Sequence, residues 1–152
     1  MVGAGDSVRH ISGAVLLGRA HGIVRSGRVG AVEIRRLDPG ELVRDDGLVA
    51  RRLMPWPVVN APFDGSWCVV RPGASSSTHG HREHEIWVAV SGEAEIVTVE
   101  GAVPFAAGDI VHFRPHEEHR LVNRSAEDFQ FFAAWWDFEM AERFAARDED
   151  GV

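Results

Sequence analysis

From Arg28 to Trp136 the chain is cut by turn signals roughly every eight to twelve residues, and this rhythm limits what it can fold into. Asp38-Pro39-Gly40, Pro55-Trp56-Pro57, Asp64-Gly65, Pro72-Gly73, Ser91-Gly92-Glu93 and Gly108-Asp109 are the breaks. Glycine reaches positive φ cheaply and proline cannot donate to a ladder, so such clusters end strands. The pieces between them read as short strands: 28–37, 49–54, 67–71, 85–90, 95–100, 102–105, 110–113, 118–122 and a closing FQFFAAWW at 129–136. Many short strands at this spacing predict an all-β sandwich or barrel. After it, Asp137 is a plausible N-cap for FEMAERFAAR, whose Phe138, Ala141 and Ala145 fall on one helical face expected to lie against the barrel. The expected organisation is an N-terminal arm at 1–27, a barrel at 28–137, and a short C-terminal helix with an acidic tail at 138–152.

Within that frame one stretch carries chemistry: GASSSTHGHREHEIWVAVSG, residues 73–92. His79, His81 and Glu85 are all odd-numbered, and on an extended strand alternate side chains share a face. Two imidazoles and a carboxylate would then point the same way. Nitrogen and oxygen donors without sulfur suit one divalent transition metal such as zinc, iron, manganese, nickel or copper. A further imidazole from elsewhere would complete a three-His, one-carboxylate site with room for water or substrate.

A second block follows, GDIVHFRPHEEHRLVN at 108–123. Together the two blocks resemble the cupin superfamily. Gly73, His79, His81, Glu85 and Gly92 meet every term of its first motif, and Gly108, His119 and Asn123 fit the second. Arg114 stands where the family usually has Pro, and His116 where it has Gly. The resemblance implies a jelly-roll barrel, metal ligands His79, His81, Glu85 and His119, and a homodimer.

Other residues are weighed against plainer roles. His116 and Arg114 are the catalytic candidates: His116 as a fifth ligand, a proton carrier or a turn residue, and Arg114 as the cation for a carboxylate substrate, with Arg71, Arg82 and Arg120 behind it. Asn123 has the parity of His119 and could line the cavity. Trp87 and Phe131 could wall it, although aromatic residues in a barrel are usually core. His84 and His112 are expected to face outward. Of Trp135 and Trp136, one should be buried and the other covered by the helix or a partner subunit. Cys68 stands alone, which excludes an intrachain disulfide and suggests a reducing, cytoplasmic setting. With 16 basic and 23 acidic residues, net −7, no basic stripe is available for nucleic acid. The apolar patch at 14–17 is too short for a membrane span.

The leading expectation is a mononuclear metal-dependent enzyme acting on a small polar metabolite. Cupins host dioxygenations, isomerisations, cyclisations and lyase steps, so the fold does not choose the reaction. Met54 to Pro57, Ala61 to Phe63, Gly65 to Val70 and Trp135 to Asp137 also look like the cupin part of hydrazine-forming enzymes. That likeness implies zinc-assisted N–N bond formation from an N-hydroxylated amine and an amino acid, with a separate synthetase-like partner. The competing class is a metal-loaded module that binds a small molecule without turnover.

Overall fold

The computed structural model describes residues 27–29, 32–56, 59 and 61–149. In chain order the strands are β1 (Gly27–Val29), β2 (Val32–Ile34), β3 (Val43–Asp45), β4 (Leu48–Arg52), β5 (Asp64–Val70), β6 (His84–Ser91), β7 (Glu93–Thr98), β8 (Gly101–Ala106), β9 (Ile110–Phe113), β10 (His119–Val122) and β11 (Phe129–Trp136), followed by helix α1 (Phe138–Glu149). The run 28–37, expected as one strand, instead folds back on itself: β1 and β2 pair antiparallel, Gly27 opposite Ile34. This hairpin lies in a unit ending at Arg36, and everything from Leu37 onward forms a second unit.

The second unit is a jelly-roll barrel of two antiparallel sheets. One has six strands in the order β3-β4-β5-β11-β6-β9, the other three in the order β10-β7-β8. Period-two patterning decides which side chains meet between them. On β11, Phe129, Phe131 and Ala133 are buried while Gln130 and Phe132 are only partly so. Cys68 and Val70 on β5, with Trp87 and Ala89 on β6, join them from the same sheet, and Ala94, Ile96, Phe105 and Leu121 close the core from the other.

The turns show where sequence signals acted and where they misled. Gly92 links β6 to β7 at φ +78°, and a Cβ there would sit 2.7 Å from the Asp128 carbonyl oxygen, so backbone geometry and space both demand glycine. Asp46 and Gly47, both at positive φ, make the tight β3–β4 hairpin, a turn and an edge strand not anticipated above. Asp64-Gly65, expected as a turn, opens β5, where Gly65 pairs with Ala134. The Asp64 carboxylate there accepts the backbone N–H groups of Met54 and Gly65.

Asp137 does cap α1: its Oδ1 accepts the Met140 N–H at 2.7 Å. The face expected to pack does not, however. Phe138 is 77% exposed, and Ala141 and Ala145 are exposed as well, whereas Met140 and Phe144 are half-buried. Two alanines and an N-terminal Phe offer too little contiguous apolar surface to fix the rotation of the helix. No helix among the described residues is long and apolar enough to cross a membrane.

Candidate metal centre

Only one of the four motif side chains stands on a regular strand of the large sheet. Glu85 is the second residue of β6. His79 and His81 precede it in an irregular loop, so period-two geometry along one strand is not what gathers them. The loop is instead stitched to β10. His79 and His119 exchange both backbone hydrogen bonds, at 3.0 and 2.9 Å, as an isolated antiparallel bridge. Ser76 N–H donates to the Leu121 carbonyl, and the Ser76 hydroxyl accepts the Leu121 N–H. The carbonyl of His81 accepts the His116 N–H at 2.6 Å. His79 and His119 are thus neighbours across a bridge, with His81 and Glu85 folded over them.

The four residues each bring one ligand atom into a cluster, all within 4.8 Å of one another. Donors about 2.0–2.2 Å from a common ion are separated by at most about 4.4 Å, so a metal ion fits with shifts of a few tenths of an ångström. Two of the three imidazoles, His79 and His119, are also held in the tautomer a metal needs. His119 Nδ1 donates to the Glu117 carbonyl at 2.8 Å and His79 Nδ1 to the Ser77 carbonyl at 3.2 Å. A carbonyl only accepts, so in the neutral form of each imidazole Nε2 is the nitrogen with the lone pair. His119 Nε2 is buried without a hydrogen-bond partner. It faces Glu85 Oε2 at 3.4 Å, and the same oxygen lies 3.0 Å from His81 Nε2. His81 Nδ1 is 3.3 Å from Glu83 Oε2, at an angle that makes no hydrogen bond.

Packing fixes the arrangement. The His119 ring lies parallel to Phe113 at 3.8 Å between centroids and meets the edge of Trp87 at 5.1 Å. Burial alone would raise the Glu85 carboxyl, but its contacts with His119, Trp87 and His81 outweigh that and hold it below the ordinary glutamate range. Glu85 is therefore an anion at neutral pH, as a ligand must be.

The cluster opens into a cavity of about 350 Å³. Trp87 and Phe131 wall it, together with Trp135, Leu48, Ala133, Cys68 and Ser66, and Asp45, Asp46, Arg52 and Glu83 add charge. Burial pushes the Cys68 thiol up to about 12, so it stays protonated.

Chemical character alone did not single out Arg52, Asp45, Asp46, Glu83 and Ser66. For Arg52 and Ser66 the placing feature is strand register, which no local pattern carries: Arg52 opposite Ser66, and Ser66 opposite Ala133, put both on the face that carries Glu85. Arg114 and His116 lie on an exposed turn and do not line the cavity. His116 sits at φ +66°, the left-handed turn conformation for which the motif keeps glycine.

Asn123 is wholly buried but structural. Its amide donates to the carbonyls of Val70 and Glu127 and accepts from the Ser125 N–H and hydroxyl. His84 and His112 do face outward, 3.1 Å apart between ring nitrogens and beside Trp136. Both Trp135 and Trp136 are half-buried, so neither is the core residue that one of them was expected to be.

The cupin-domain family model matches residues 66–135. A Cupin 2 conserved barrel domain protein from Salinispora arenicola superposes with a TM-score of 0.74 at 55% identity, over 78% of this chain and 99% of that one. The chain belongs to the cupin family. This cupin also superposes on the plu4264 protein from Photorhabdus luminescens, with a TM-score of 0.74 at 37% identity over 76% of this chain and 97% of that one. It shares the fold of the polyketide cyclase RemF from Streptomyces resistomycificus at 18% identity, TM-score 0.56, over 67% and 78% of the two chains. No curated protein matches.

Proposed function

We propose that this cupin is a mononuclear metal-dependent enzyme acting on a small polar organic molecule, with His79, His81, Glu85 and His119 as the ligands of one divalent transition metal. The observation that carries the reading is the buried, unpartnered Nε2 of His119 facing the Glu85 carboxylate. That pair needs positive charge between its two atoms, which a bound metal ion would supply in place of a proton. The cluster also borders a cavity of a size suited to a metabolite, walled by aromatic side chains.

Three neutral imidazoles and one carboxylate leave a bound divalent ion with net positive charge, able to polarise a substrate oxygen or acidify water. The chain's own residues do the rest. The Glu117 and Ser77 carbonyls hold two imidazoles in the ligating tautomer. Phe113 and Trp87 fix the His119 ring, and Trp87, Phe131 and Trp135 give the cavity its aromatic walls.

The test is His81→Ala against wild type, reading bound metal together with turnover of a metabolite panel. Metal and activity should fall together, because one lost ligand weakens a site strongly. A variant that keeps a full equivalent of metal would refute the ligand set. Saturable ligand binding with no product in the wild type would support the binding-module class instead.

A further inference from the structure

We propose that the cavity holds a second recognition point, Arg52 with Ser66, which takes the carboxylate of a small organic acid whose other end reaches the metal centre. The inference rests on the metal-site reading and adds the class of substrate. It comes from the register of four strands. Arg52 on β4 is opposite Ser66 on β5, Ser66 is opposite Ala133 on β11, and Ala133 is opposite Trp87 on β6, two residues along from Glu85. Ser66 and Glu85 therefore lie on one sheet face, two strand spacings across and two residues along, or about 12 Å apart. On that face β11 carries Ala133, opposite Ser66, and Trp135, opposite Glu85, so the way between the two points runs past one methyl group and one indole, and Trp87 and Phe131 line the same cavity.

The end away from Glu85 is equipped to donate. The Arg52 guanidinium lies 4.7 Å from the Trp135 ring centroid, and among its described contacts the one acceptor is Asp45, at a long 3.4 Å. Four of its five N–H donors are left for another oxygen. Ser66 is 4% exposed and its hydroxyl has no partner. A planar fork on the residue opposite an unused hydroxyl matches a carboxylate, which accepts several charge-assisted hydrogen bonds at once. Arg52 is also the one Arg or Lys lining the cavity among the described residues. Of the acidic groups at the rim, Asp45 is paired with Arg52, Asp46 accepts the Ser77 hydroxyl, and Glu83 lies 3.4 Å from Arg82.

Two matched probes test this on the metal-loaded protein: benzohydroxamic acid, whose hydroxamate seeks the metal, and its 4-carboxy derivative. Calorimetry should show the 4-carboxy probe binding about tenfold more tightly than the parent or better. Arg52→Met should erase that gain and Ser66→Ala should reduce it, while both keep the metal content and the affinity for the parent probe. A 4-carboxamide probe separates charge from hydrogen bonding and should gain less than the carboxylate. Equal affinity of the carboxy and parent probes, a gain that survives Arg52→Met, or failure of the parent to bind protein that holds metal would each overturn the inference. Protein that takes up no metal overturns the metal-site reading itself, and this inference with it.

Discussion

Asn123→Ala separates a motif residue's structural role from a catalytic one. The Asn123 amide, wholly buried, makes four hydrogen bonds: to the Val70 carbonyl at 2.9 Å, the Glu127 carbonyl at 2.8 Å, and from the Ser125 N–H and hydroxyl at 2.9 and 2.8 Å. It ties the end of β10 to β5 and to the turn before β11. A buried polar group stripped of its partner costs about 1–3 kcal/mol. Ser125 and Glu127 are partly exposed and can turn to water, so the Val70 side dominates and the total should be about 2–4 kcal/mol. For a domain of this size that is a fall in Tm of roughly 5–15 °C. Urea unfolding followed by tryptophan fluorescence measures it, with bound metal counted on the folded fraction. A change below about 1 kcal/mol, or metal lost at unchanged stability, would refute the structural assignment.

Other outcomes follow from the same geometry. His116→Gly should leave metal content and the pH profile of any activity unchanged, since the side chain is exposed and outside the cavity; a moved profile would make His116 a proton carrier. Cys68, with its thiol near 12, should be ionised at pH 8 to only roughly one part in ten thousand and resist iodoacetamide until the protein unfolds; rapid native labelling would contradict its burial. In metal-stripped protein the depressed Glu85 carboxyl stabilises the fold above its unfolded pKa of about 4.3 and stops doing so as pH falls through its lower folded value. The stability difference between wild type and Glu85→Gln should accordingly shrink between pH 7 and pH 3; a difference independent of pH would contradict it.

Much of this was legible in the sequence, for reasons that differ by residue. Strand positions from β5 onward follow alternation and turn chemistry, which act locally. The four motif side chains do converge, yet parity along a strand was the wrong cause: the bridge between His79 and His119 is a long-range pairing that no local period encodes. Arg52 and Ser66 stayed hidden because their place depends on the register between β4, β5 and β11. Arg114 drew attention through its motif position, but its turn points it to solvent. On α1 the cap was readable and the packed face was not, since the apolar stripe is too sparse to set the helix rotation.

The most direct measurement is elemental analysis of protein purified without added metal, set beside the His81→Ala variant. The account predicts close to one divalent transition-metal ion per wild-type chain and a small fraction of that in the variant. A wild type that neither carries nor takes up such an ion, or a variant that holds it equally well, would contradict the claim.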